Sequence, residues 1–71
     1  MHMKGYSLRL DEIGESLIGM NYTEACKKYN EYKIRLYYKN GLPMIITHDF
    51  KTNRINVSTH NDIIIEYHGV G

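Results

Sequence analysis

The spacing of apolar positions changes along the chain, and each change predicts an element. Lys4 to Gly19 has little periodicity. Leu8, Leu10, Ile13, Leu17 and Ile18 can line one side of it, while Asp11, Glu12 and Glu15 keep the other side wet. Gly14 and Gly19 each cost about 1 kcal/mol against Ala in a helix interior, so this stretch reads as extended or as a short turn of helix. Asn21 to Tyr32 is the one clear helix. Asn21 is a favoured N-cap, and Glu24 stands where a capping box needs it. Tyr22, Ala25, Cys26, Tyr29 and Tyr32 follow at helical spacing and form an apolar face, with Lys27, Lys28 and Glu31 opposite.

From Lys33 to Lys39 the period drops to two. Ile34, Leu36 and Tyr38 alternate with Lys33, Arg35 and Tyr37, which predicts a strand with one buried face and Tyr37 on the other. Asn40-Gly41-Leu42-Pro43 ends it with turn chemistry. Arg54 to Thr59 alternates again, Ile55 and Val57 inward and Asn56 and Ser58 outward, and His60-Asn61-Asp62 turns the chain into a last short strand, Ile63 to Tyr67. Between the two main strands lies Gly41 to Asn53, with no evident element. A connection of that length in so small a domain is often functional. Its apolar residues Met44, Ile45 and Ile46 either meet a partner or tuck against the sheet.

With 71 residues, 42% hydrophobic and 24% charged, the chain has room for one small core. Residues 4–71 read as a single domain, and Met1-His2-Met3 as a cloning scar joined to a native start. Nine basic groups against eight acidic ones leave a net charge of +1, which argues against a whole-domain binder of nucleic acid or membrane surface. The longest apolar runs, Met44 to Ile46 and Ile63 to Ile65, are far too short to span a bilayer. No signal peptide is visible, so a cytoplasmic location is the default expectation. Cys26 is the only cysteine, which excludes an internal disulfide and a multi-thiolate zinc site. Abundant Tyr, Asn, Ile and Lys with no Trp fit an AT-rich genome, of the kind many viruses and phages carry.

Read in order, several segments resemble the potato inhibitor I family of serine-protease inhibitors, the chymotrypsin inhibitor 2 type. Leu17-Ile18-Gly19 precedes the helix as the family's Leu-Val-Gly does, and Asn21 to Lys28 resembles its helix start. Ile45-Ile46-Thr47-His48-Asp49-Phe50 lies where the family has its reactive loop. Asn53-Arg54-Ile55-Asn56-Val57 resembles the Asp-Arg-Val-Arg-Leu of the following strand, and Asn61-Asp62-Ile63 and Val70-Gly71 fit the family's closing motifs. The resemblance implies an α+β domain: one helix packed on a small mixed sheet, with a parallel central strand pair joined by a long exposed loop. A parallel pair requires such a crossover.

The resemblance also implies a function, inhibition by a loop that enters a protease cleft as a substrate would. The reactive loop would be Ile46, Thr47, His48, Asp49 and Phe50, with His48 entering the specificity pocket and Asp49 following the scissile bond. Arg54 would tether the loop, with Asn56 beside it, although a plain strand-start charge is the competing reading of Arg54. The family has arginines where this chain has Asn56 and Gly69, so one tether replaces three and a looser loop is expected. The implied partner is a serine protease, for instance a subtilisin-like one.

A second reading keeps the fold and drops inhibition. Residues 27–54 hold seven basic groups against two acidic ones, and Lys33, Arg35 and Lys39 share a strand with Tyr37 between them. That face could bind an anionic small ligand or be an ordinary solvated surface. In this reading the loop binds another host protein, homo-oligomers are allowed, and a virus- or phage-encoded origin fits. An enzyme is not expected, because no nucleophile–base pair, phosphate loop or paired carboxylates can be assembled. Cys26 reads as a small buried thiol. His48, His60 and His68 with Asp49 or Asp62 match no metal-ligand spacing, so neither metal nor cofactor is expected.

Overall fold

In the computed structural model the described residues are 2–71, with side chains from residue 9 onward. The readings attached to Met1 and to the side chains of His2, Met3 and Leu8 lie outside them. Two helices, α1 (His2–Ser16) and α2 (Tyr22–Lys28), pack on a mixed sheet of β1 (Lys33–Lys39), β2 (Leu42–Pro43), β3 (Arg54–His60) and β4 (Ile63–Val70). The strand order is β2-β1-β3-β4. β1 and β3 run parallel at the centre, and β2 and β4 lie antiparallel on the outside. The expected parallel pair and long crossover are therefore present.

The first helix corrects the reading of residues 4–19. Leu10 on α1 and Leu17 just past its end are buried on one side, with Ile13 half-buried between them, and Gly14 sits on that side beneath the ring of Tyr67. A Cβ at Gly14 would lie 2.3 Å from Tyr67 Cε1. The glycine leaves the room that this ring occupies. Tyr67 hydroxyl donates to Asp11 on the same helix, and burial with this carboxylate beside it pushes the phenol pKa upward.

In α2 the cap forms as expected: Asn21 Oδ1 accepts the Glu24 N–H at 3.2 Å. The helix stops at Lys28 rather than Tyr32, since Tyr29 leaves helical geometry at φ −111°, ψ 49°. Residues 29–32 form a turn that still packs Tyr29 and Tyr32 against the core. That core is Leu10, Leu17, Ala25, Ile55, Val57 and Ile64, all buried between the helices and one face of the sheet.

Both hairpins turn on two residues with positive φ, the geometry that matches strand twist. Asn40 and Gly41 (φ 53° and 80°) join β1 to β2, and Asn61 and Asp62 (φ 52° and 67°) join β3 to β4. The turns are tied together, because Asn61 N–H donates to Asn40 Oδ1 at 2.7 Å and Asn40 N–H to Thr59 O at 2.9 Å.

A register shift in β1 between Leu36 and Tyr38 corrects the assignment of Tyr38. Tyr38 pairs with Ser58 and so comes out on the face away from the helices, where it is exposed. Tyr37 stays on that outer face as expected but is half-buried there, its ring stacked on His68. Asn56 and Ser58 do face away from the helices, but both are buried there. The crossover and the end of β4 cover this second face.

Candidate functional site

The crossover from β2 to β3 is pinned at both ends by backbone bonds. Met44 N–H donates to Tyr37 O at 2.8 Å, and Lys33 N–H donates to Asn53 O at 3.2 Å. Between these points Ile45, Thr47, His48, Asp49 and Phe50 are exposed, and Ile46 is half-buried. Ile46 is thus the one residue of Met44, Ile45 and Ile46 that partly tucks in.

Two arginines reach this segment from beneath, one from each central strand. Arg54 opens β3 and is 7% exposed. Its Nη2 donates to the Asp49 carbonyl at 2.8 Å and to Asp49 Oδ1 at 3.3 Å, and its Nε donates to Gly71 O at 2.7 Å. Arg35 comes from β1. Its Nη1 donates to the Thr47 carbonyl at 3.2 Å and approaches Thr47 Oγ1 at 3.5 Å, while its Nε donates to Asn56 Oδ1 at 2.9 Å. The carbonyls on either side of His48 are therefore each held by a guanidinium, and the His48 side chain projects from a main chain fixed before and after it.

Asp49 is where these charges converge. Thr47 hydroxyl donates to its Oδ1. Arg54 Nη2, Arg35 Nη1 and Lys51 Nζ lie 3.3, 3.9 and 3.8 Å from its carboxylate oxygens. The Thr47 hydrogen bond first, then the bond and charge of Arg54, lower its pKa from 3.8 to about 2. The carboxylate is thus ionised at neutral pH and ties Thr47 to the basic floor.

Residues Gly69 to Gly71 form the far wall. Gly69 O accepts from Asn56 Nδ2 at 3.0 Å, and Gly71 N–H donates to Arg54 O at 3.0 Å. Phe50 lies over Gly71, its ring 3.2 Å from where a Cβ there would stand. Gly69 has φ 99°, a conformation that disfavours any side chain, including the arginine which the family resemblance would place here.

The expectation of a single tether is thereby corrected. A second guanidinium serves the loop, and it comes from β1, the strand beside the one that carries Arg54 and Asn56. The parallel register sets Arg35 beside Asn56, which makes the substitution of one for the other geometrically feasible. The same finding breaks up the anionic-ligand face. Arg35 is turned into the loop, while Lys33 and Lys39 stay exposed at opposite ends of β1. Sequence periodicity placed Arg35 on the polar face of its strand but carried no sign of what covers that face.

Elsewhere, Ser58 Oγ and His68 Nε2 share a hydrogen bond of 2.5 Å, and the imidazole stacks on Tyr37 with centroids 5.1 Å apart. Glu66 Oε1 lies 3.8 Å from the same Nε2. Both contacts fall on the one nitrogen, and Ser58 is buried beneath the ring. Cys26 is half-buried on α2 beside Tyr22, whose hydroxyl donates to Ile34 O at 3.0 Å. Burial, then the neighbouring Cys26, pushes the Tyr22 phenol up to about 12. Among the described residues, no three His, Cys, Asp or Glu side chains are grouped to hold a metal ion, and no helix is long and apolar enough to cross a membrane.

Against models of known protein families and against curated protein sequences, the chain matches none.

Proposed function

We propose that this protein inhibits a serine protease by presenting Ile46 to Phe50 as a substrate-like loop. One observation carries the reading: the carbonyls of Thr47 and Asp49 are both held by arginines of the sheet, so His48 is offered on a main chain that is already ordered. Affinity for a cleft then loses little to the ordering of the loop. His48 is the residue offered to the specificity pocket, with His48-Asp49 as the bond attacked. Exposed Ile45 and Phe50 add apolar area on either side of it. Slow cleavage follows from the same tethers, which hold both sides of the bond after attack. The ordered resemblance to potato inhibitor I points the same way.

The test is incubation with subtilisin and with chymotrypsin, following residual protease activity and protein mass over time. Stoichiometric loss of activity with slow, single cleavage at His48-Asp49 is the expected result. Rapid degradation at several sites, or full activity of both enzymes at a large excess of this protein, would overturn the reading.

A further inference from the structure

We infer that Arg35 and Asn56 act as one positioning unit, a tether divided between β1 and β3 that fixes the main chain immediately before His48. The inference deepens the inhibitor reading and rests on it for its biological role, while the tether itself is measurable in the free protein.

The geometry runs in one direction. Asn56 is 1% exposed, and its Nδ2 donates to Gly69 O, which decides which end of the amide faces β1. Its Oδ1 then accepts from Arg35 Nε, and this orients the guanidinium plane. Only with that plane set does Nη1 meet the Thr47 carbonyl. The Tyr37 ring, 5.4 Å from the guanidinium carbon, closes off another side. Each link needs the one before it, so Asn56 acts on the loop without touching it. A lysine at position 35 would keep the charge near Asp49, but its three donors sit on one nitrogen, and a single ammonium cannot reach both acceptors at the spacing and angles that the guanidinium fixes. The Arg54 tether is separate, since it grips the other side of His48 and anchors on Gly71.

Arg35→Lys, Asn56→Ala and the double variant test this in the free protein. One readout is the NMR order parameter at the amides of Thr47 and His48. The other is the rate of cut at His48-Asp49 by dilute subtilisin. Each single variant should lower the order parameters from about 0.85 to below about 0.6 and speed the cut roughly tenfold, as loss of one hydrogen bond from a charged donor implies. The double variant should do no more than the stronger single variant, because the two residues serve one interaction.

Wild-type order at Thr47 and His48 in Arg35→Lys would overturn the inference, and so would effects that multiply in the double variant. Should Asn56→Ala unfold at the assay temperature, Arg35→Lys alone still decides through the first of these. If no protease is inhibited while the loss of order and the coupling hold, the inhibitor reading falls and the tether stands. If proteases are inhibited while loop order ignores both substitutions, the tether falls instead.

Discussion

Replacing Gly14 by Ala tests the account of how the first helix meets the sheet, and the expected sign opposes what helix propensity alone gives. A Cβ at position 14 would stand 2.3, 2.5 and 2.7 Å from Cε1, Cδ1 and Cζ of Tyr67. Ordinary contact begins at 3.4 Å, so either the ring or the helix must move. The ring is not free to swing, because its hydroxyl is bonded to Asp11 one turn earlier on the same helix. Overpacking of this kind costs about 1–3 kcal/mol, and the strained or lost hydrogen bond adds about 1 kcal/mol. Ala gains about 1 kcal/mol over Gly within a helix. The balance is a loss of about 2 kcal/mol, and at about 4–8 °C per kcal/mol for a domain of this size the melting point should fall by roughly 8–16 °C.

Thermal unfolding followed by circular dichroism reads this directly. The informative control is the same substitution in a Tyr67→Ala background, where the obstacle is gone and Gly14→Ala should raise the melting point. A rise in the otherwise unchanged protein would refute the close-approach argument.

Two further outcomes follow from other contacts. Acid should loosen the loop: Asp49 is depressed from 3.8 to about 2 in the folded protein, so its contribution is complete above about pH 4 and fades as pH falls through 2. An NMR titration of the Asp49 carboxyl carbon, with loop order followed in parallel, checks this, and Asp49→Asn should loosen the loop at neutral pH; a midpoint near 4 would remove the argument. Asn40→Ala should destabilise the whole domain by about 2 kcal/mol, because it leaves the Asn61 N–H without its acceptor and puts Ala in a left-handed conformation. Urea unfolding with an unchanged midpoint would show that the two turns are not coupled.

The strands were legible because apolar and polar residues alternate along them in the sequence, and β1, β3 and the start of β4 lie where that alternation placed them. The cap of α2 was legible because Asn21 and Glu24 are local to it. The first helix was readable too: Leu10, Ile13 and Leu17 repeat at helical spacing. What hid it was Gly14, counted as a breaker, whose reason is an aromatic ring far along the chain. A close approach of a helix backbone to a distant side-chain ring leaves no local mark. The same holds for Tyr38, since the irregularity that turns it to the outer face follows from pairing with β3 and not from β1 itself. At the site, Arg54 could be picked out only through the family resemblance, since its place at the head of a strand pointed equally to a plain solvated charge. Arg35 could not, because its role depends on which residue lies beside it across a parallel register.

The loop's conformation is therefore written outside the loop. The main-chain bonds at its two ends hold its span, but the direction of the carbonyls around His48 comes from Arg35 and Arg54. Those guanidiniums are in turn oriented by Asn56 and by Gly69 to Gly71, the continuation of β4. β4 is seated against α1 through Tyr67 and Gly14. Because the two arginines are oriented by separate partners, although both meet Asp49, damage to one should leave the carbonyl held by the other in place. Damage to the seating of β4 should weaken both together. Gly14→Ala, remote from the loop, is thus expected to disturb Thr47 and Asp49 alike, whereas Arg35→Lys disturbs chiefly Thr47. That difference in pattern, more than the size of either effect, would distinguish a loop held by the fold from one that holds itself.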